Sequence, residues 1–142
     1  MAKKNIFNLD IIKVKPNINE FILFRKLAFE SISRLTFVTE RIKLRLGLSP
    51  LALFVSKYSL NRFYVCLVDK KIIGWAVFRL GKIRGLFVSQ KHRGLGVGTL
   101  LINKICLDTK AKQICVIPFH SATGFYLKNG FRQEGKFFIK TK

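Results

Sequence analysis

Acidic side chains are scarce in this sequence. Its 142 residues include 7 Asp and Glu against 27 Lys and Arg, which leaves a formal net charge of +20. A charge excess of this size does not specify a fold, but it attracts polyanions through solution. Part of this charge excess follows from an overall composition that is rich in Lys, Ile, Phe and Asn. We therefore keep a weak contact with nucleic acid or another polyanion among the expected partners.

Cysteine is also scarce. Cys66, Cys106 and Cys115 are odd in number, form no Cys-x-x-Cys motif and lie within apolar runs. This pattern argues against a disulfide framework and against a paired-cysteine metal or redox site. It predicts three small buried side chains in a reducing compartment, and no bound metal.

Long hydrophobic runs are missing as well. The densest apolar stretch, LALFV at residues 51–55, is far too short to span a bilayer, and the basic start of the chain has no apolar block of signal-peptide length behind it. We expect a soluble protein without membrane contact that is not secreted. It would be cytoplasmic, or would lie in an organelle matrix or stroma if an organelle encodes it.

The length fits one domain, residues 1–142, since neither an internal repeat nor a low-complexity linker divides the chain. Residues 5–15 predict a strand that Pro16 ends. Helical spacing of apolar residues then predicts helices over 19–33 and 39–46. The segment 50–60 fits either another helix or a connection.

From residue 62 the apolar period changes to that of strands. Residues 62–69 and 72–80 predict a hairpin with Lys70 and Lys71 at its turn. Gly81 then provides a second tight turn into a strand over residues 82–89. Three consecutive strands of this kind form an antiparallel meander.

The remaining residues alternate between helix and strand. A helix from about 98 to 110, with Val97, Leu101 and Ile105 on one face, leads to a strand over 112–118. A short helix over 120–130 and one or two closing strands over 131–140 follow. The predicted order is β-α-α-β-β-β-α-β-α-β(β). It describes a mixed α/β (α+β) fold with a central, mostly antiparallel sheet flanked by helices.

The loop RGLGVG at residues 93–98 joins the third strand of the meander to this helix. A glycine-rich turn into a helix N-terminus suits a phosphate, because the first helical N–H groups lack intrahelical partners. The nucleotide-triphosphatase pattern GxxxxGK[ST] is absent. The dinucleotide pattern GxGxxG fails because Thr99 stands where its third glycine belongs and because a hairpin precedes the loop. What remains is Arg93-x-x-Gly96-x-Gly98.

Two motifs resemble one known family. The sequence LFVSQKHRGLGVGTLL resembles the pyrophosphate loop, Q/R-x-x-G-x-G/A, of the GNAT superfamily of acetyl-CoA-dependent N-acetyltransferases. The segment ATGFYLKNGF resembles that family's A-x-x-F-Y-x-x-x-G-F segment. The resemblance covers residues 62–135 and also fits the predicted element order. It implies a single N-acetyltransferase-like domain that moves the acetyl group of acetyl-CoA, as co-substrate, to a primary amine by direct attack.

The resemblance also implies which residues bind and react. Main-chain amides after Arg93 would hold the coenzyme pyrophosphate, and the end of the preceding strand would pair with the pantetheine arm. Tyr126 would protonate the departing thiolate, because the ordinary pKa values of a phenol and of a coenzyme thiol are comparable. The coenzyme-binding residues expected are Leu86, Phe87, Val88, Arg93, Gly94, Leu95, Gly96, Val97, Gly98 and Thr99.

The general base stays open. Many family members place an acid on the fourth strand, where this sequence has Arg84 and Gly85. Glu30, Glu40, His120 or a chain of water molecules could accept the amine proton. Arg84 is either a solvated strand residue or a contact for an acceptor carboxylate.

Three further alternatives stay open beside this interpretation. The glycine loop could be only a turn, and Tyr126 could be a packing residue. The whole chain could be a basic, non-catalytic binding module on an acetyltransferase scaffold that contacts RNA or another polyanion. The sequence specifies neither the amine acceptor nor the oligomeric state.

Overall fold

The computed structural model describes residues 10–14, 62–69 and 71–142. These residues form one seven-stranded sheet and two α-helices. The elements are β1 (Asp10–Val14), β2 (Arg62–Val68), β3 (Lys71–Arg79), β4 (Lys82–Val88), α1 (Val97–Asp108), β5 (Gln113–Val116), α2 (Thr123–Lys128), β6 (Arg132–Glu134) and β7 (Phe137–Thr141). The segments 19–33, 39–46 and 50–60, for which helices or a connection were predicted, lie outside the described residues.

The strand order in the sheet is β1-β2-β3-β4-β5-β7-β6. All neighbouring strands are antiparallel except β4 and β5, which are parallel. A parallel pair needs a crossover connection, and α1 lies in the segment that supplies it. The predicted mixed fold with a mostly antiparallel sheet is therefore confirmed.

The turns of the meander differ in detail from the prediction. β3 already begins at Lys71, and Asp69 has a positive φ of 48°, so the first turn lies one residue earlier than expected. At the second turn both Leu80 (φ 47°) and Gly81 (φ 77°) are left-handed. Two left-handed central residues match the twist of a tight hairpin, but leucine rarely takes this conformation.

Helix α1 covers one face of the sheet. Val97, Leu101 and Ile105 are buried, as predicted, and they pack in one cluster with Ile114 of β5 and Phe138 of β7. The helix starts one residue earlier than predicted and ends at Asp108, two residues earlier. The Thr109 N–H, beyond that end, donates to the Ile105 carbonyl.

The predicted helix over 120–130 consists of two parts. A single 3-10 turn (His120–Ala122) precedes α2, and the Thr123 hydroxyl donates to the His120 carbonyl. Beyond α2, Lys140 of β7 donates to the Asn129 carbonyl, which places a cation at the negative end of the helix. One or two closing strands were predicted, and the segment forms two, β6 and β7.

The cysteine prediction is correct in part. All three cysteines are free, but only Cys66 is buried, whereas Cys106 and Cys115 are half-buried. Within the described ranges no group of three or more His, Cys, Asp or Glu side chains is placed to hold a metal ion. In the same part of the chain, no helix is both long enough and apolar enough to cross a membrane.

Candidate active site

Strands β4 and β5 separate soon after they meet. They pair only at Lys82 with Cys115 and at Ile83 with Val116. β4 nevertheless continues to Val88 and stays paired with β3 over this length. Among the described residues, the outer main-chain edge of β4 beyond Ile83 therefore has no strand partner. We name this opening between β4 and β5 the wedge.

A bulge in β4 lies where the wedge begins. Ile83 pairs with Phe78 and Gly85 with the preceding Val77, so Arg84 is the extra residue on β4. Such a bulge bends a strand and ends regular pairing. The Arg84 side chain is exposed.

The predicted pantetheine-binding residues lie along the free edge of the wedge. Leu86 and Val88 pack against the core cluster under α1, and Phe87 stacks on Trp75 with ring centroids 6.0 Å apart. Their side chains are thereby fixed on the two faces of the sheet. Their outward main-chain groups are oriented along the wedge, as pairing with an extended ligand requires.

The loop between β4 and α1 is tied to the sheet at several points. The Ser89 N–H donates to the Ile73 carbonyl over 2.8 Å, and the Arg93 Nε donates to the Val88 carbonyl over 3.1 Å. The Ser89 Oγ and the His92 Nδ1 are 2.6 Å apart. These contacts fix the position of the loop relative to the end of β4.

Gly94 and Gly96 provide left-handed backbone at the loop. Their φ angles are 77° and 81°, and a Cβ added to either would meet nothing within 4 Å. The requirement for glycine here is therefore conformational, since other residues are strained at such φ. These two left-handed residues lead the chain into the first turn of α1.

The start of α1 presents free main-chain donors. The first intrahelical bond runs from the Leu100 N–H to the Gly96 carbonyl, so the N–H groups of Gly96, Val97, Gly98 and Thr99 have no intrahelical acceptor. No side chain caps them, and no acidic residue lies in the first turn. Together with the positive end of the helix dipole, these donors form a site suited to phosphate.

Gly98 has a packing role besides the predicted coenzyme contact. A Cβ at this position would lie 2.8 Å from Cζ and 2.9 Å from Cε2 of Phe125. The glycine therefore lets the Phe125 ring of α2 pack against the first turn of α1. No local sequence signal indicates this contact, because it joins residues that are far apart along the chain.

Tyr126 lies next to this contact. Its side chain is only 5% exposed, and its ring meets Phe125 and Phe131 edge to face, with centroids 5.1 Å and 5.3 Å away. Burial raises the pKa of Tyr126 to about 12, so the phenol stays protonated at neutral pH. The tyrosine is thus a core residue by packing, and its neighbour Phe125 contacts the first turn of α1.

The candidates for a general base are only partly described. Glu30 and Glu40 lie outside the described residues, and His120 is exposed in the turn before α2. Glu134 was not among the candidates; it is an exposed carboxylate at the end of β6, at the end of the sheet where the wedge opens. Only the strand pairing reveals this placement.

Comparisons with known proteins agree with this geometry. A family model described as the acetyltransferase (GNAT) domain matches residues 59–133, which is more than half of the chain. A structure of a GCN5-related N-acetyltransferase from Rhodopseudomonas palustris is similar with a TM-score of 0.71, at 18% identity, covering 99% of this chain and 100% of that one. Comparison with curated proteins found no match.

Two further solved structures contain a coenzyme. The PaiA N-acetyltransferase of Thermoplasma acidophilum, in complex with coenzyme A, has a TM-score of 0.68 and 17% identity, covering 96% of this chain and 100% of that one. A GNAT family acetyltransferase of Brucella melitensis, in complex with acetyl-CoA, has a TM-score of 0.70 and 17% identity, covering 96% and 89%. At these identities the structures share the fold, and the family match spans the residues of both motifs. The chain belongs to the GNAT acetyltransferase family.

Proposed function

We propose that this chain is an N-acetyltransferase that transfers the acetyl group of acetyl-CoA to a primary amine of a small molecule or a protein. One observation carries the proposal. The Phe125 ring packs on Gly98, which joins the helix of Tyr126 to the free N–H groups at the start of α1, beside the wedge. A site suited to phosphate, an unpaired strand edge and the helix that carries Tyr126 thus lie together.

Coenzyme binding follows from these three parts. The free N–H groups of residues 96–99 would hold the pyrophosphate, and the terminal nitrogens of Arg93 would add charge beside it. The edge of β4 from Leu86 to Val88 would pair with the pantetheine amides. The thioester would then lie in the wedge. That coenzyme A and acetyl-CoA occupy structures of the same fold supports this arrangement.

The reaction is a nucleophilic substitution at the thioester carbon. The neutral amine attacks, and main-chain N–H groups of β4 stabilise the negative charge on the carbonyl oxygen. The tetrahedral intermediate then collapses with cleavage of the C–S bond, which releases the coenzyme as a thiolate. The nitrogen loses one proton, and the sulfur finally gains one.

Burial of Tyr126 changes the part that its hydroxyl plays in this reaction. A phenol of pKa about 12 is a weaker acid than a thiol, which ordinarily titrates near 8.5. Complete transfer of its proton to the thiolate is therefore unfavourable. We infer that Tyr126 donates a hydrogen bond to the sulfur as negative charge develops there, and that water supplies the final proton.

The basic surroundings help with the amine proton. Nearby cations such as Arg84 lower the pKa of an ammonium group, which raises the fraction of neutral amine at a given pH. Water can then accept the proton without a dedicated carboxylate. Glu134 is a further candidate base. If Glu134→Gln left the pH profile of the transfer rate unchanged, Glu134 would no longer be a candidate.

The test is a transfer assay with acetyl-CoA and a panel of amines and peptides. With an active acceptor, Tyr126→Phe should lower kcat by about 10²-fold or more and leave KM for acetyl-CoA nearly unchanged. A Phe variant as fast as the parent would make Tyr126 a packing residue only. If no coenzyme binds and polyanions do, the alternative of a non-catalytic basic module replaces the proposal.

A further inference from the structure

The sheet has a second face, opposite the one that α1 and α2 cover. Across β4, β5, β7 and β6, Lys82 pairs with Cys115, Cys115 with Ile139, and Ile139 with Arg132, so these four residues form one row on one face. Phe137 lies two residues from Ile139 on β7 and therefore on the same face. We name the surface formed by Lys82, Cys115, Arg132, Phe137 and Ile139 the open sheet face.

The alternate residues of the same strands show where the helices lie. Ile83, Val116 and Phe138 are buried in the cluster that includes the apolar side of α1 and Tyr126 of α2. On the open sheet face, by contrast, Lys82 and Arg132 are exposed, and Cys115, Phe137 and Ile139 are half-buried. This part of the sheet thus has one face in the core and one that is partly exposed.

Positive charge surrounds one aromatic ring on this face. The Nζ atoms of Lys82 and Lys136 lie 5.9 Å and 5.4 Å from the centre of the Phe137 ring. Arg132 adds another exposed cation. Glu134 pairs with Phe137 and lies on the same face, and it is the one carboxylate within these four strands, all of them described. The surface therefore attracts anions and also offers an apolar ring to stack on.

The combination of cations with an aromatic ring favours one class of polyanion. An acidic peptide would use the cations but would gain little from the ring. A duplex keeps its bases stacked inside and would meet the cations only. Single-stranded nucleic acid uses both, because its phosphates pair with Lys and Arg while an unstacked base lies on an aromatic side chain.

We propose that the open sheet face binds single-stranded nucleic acid. A base stacks on Phe137, and Lys82 and Arg132 contact phosphates on either side of it. This binding is separate from acetyl transfer, since the phosphate site of the coenzyme lies at α1, on the helical side of the sheet. The assay needs no coenzyme, so its result does not depend on the outcome of the transfer assay.

Fluorescence anisotropy with a labelled oligouridine of about ten nucleotides, titrated at several salt concentrations, tests the proposal. Lys82→Gln combined with Arg132→Gln should reduce the slope of log affinity against log salt by about 1.4, or about 0.7 per phosphate contact. Lys110→Gln combined with Lys128→Gln removes two exposed charges elsewhere. It should leave the slope nearly unchanged.

The ring is tested separately. Phe137→Leu should weaken binding by about fivefold or more without changing the salt slope, whereas Phe137→Tyr, which keeps a ring, should bind like the parent. Equal loss in the two charge-removing pairs would overturn the proposal, because binding would then follow net charge alone. The proposal would also be overturned if oligoglutamate competed as strongly as unlabelled oligouridine. If Phe137→Leu fails to fold, the two charge pairs and the competition still decide.

Discussion

The contact between Gly98 and Phe125 makes a quantitative prediction about Gly98→Ala. The new methyl group would lie 2.8 Å from Cζ of the ring. Carbon atoms in contact prefer about 3.5 Å or more, so the ring must move by roughly 0.7 Å. Overpacking of this kind costs about 1 to 3 kcal/mol, and the helix propensity of alanine returns up to about 1 kcal/mol. We expect a net loss of about 1 to 2 kcal/mol.

Urea unfolding of a double-mutant cycle measures this effect. In a Phe125→Leu background the shorter side chain leaves room, so Gly98→Ala should be neutral or stabilising. The coupling energy between the two positions should then be about 1 to 3 kcal/mol.

A matched control is available on α2. Gly124 lies in a helix with nothing within 4 Å of an added Cβ. Gly124→Ala should therefore stabilise the protein slightly, by up to about 1 kcal/mol. If Gly98→Ala proved as stabilising as Gly124→Ala, or if Phe125→Leu failed to rescue it, the packing argument would be refuted.

Two further predictions concern stability. Leu80 is 64% exposed and has a φ of 47°, a conformation that asparagine tolerates better than leucine. Leu80→Asn should therefore stabilise the protein. We expect a gain of about 0.5 to 1 kcal/mol in urea unfolding, and no gain for Leu107→Asn on exposed α1 surface. Burial raises the pKa of Tyr126 to about 12, so its contribution is complete below about pH 10 and is lost as the pH rises through 12. Between about pH 9 and 11 the parent should lose about 1 kcal/mol more stability than Tyr126→Phe, and equal losses would contradict the burial argument.

Local patterns were sufficient to predict α1 and the loop before it. Val97, Leu101 and Ile105 recur at helical spacing, and Gly96 stands at the helix start, where a left-handed residue is needed. Both signals are carried by neighbouring residues, so they can be read without the fold. The three-stranded meander was predictable for the same reason, since strand period and turn residues are local.

Other features depend on packing between distant segments. Three such features involve residues far apart in sequence. They are the separation of β4 from β5 after Ile83, the position of Glu134 at the same end of the sheet, and the contact of Phe125 with Gly98. The glycine motif alone did not reveal the packing of Phe125 on Gly98, because a glycine in a phosphate loop also fits a position under an aromatic ring. The left-handed Leu80 was equally hidden, since leucine does not favour that conformation.

The central claim is that main-chain donors at the start of α1 hold the coenzyme, and calorimetric titration with acetyl-CoA tests it most directly. The parent should bind, and Gly96→Ala should weaken binding more than Arg93→Ala, because it changes the backbone that aims the N–H groups. Gly124→Ala should bind like the parent. A parent that binds no acetyl-CoA would contradict the account. A larger loss from Arg93→Ala than from Gly96→Ala would show that side-chain charge holds the ligand instead.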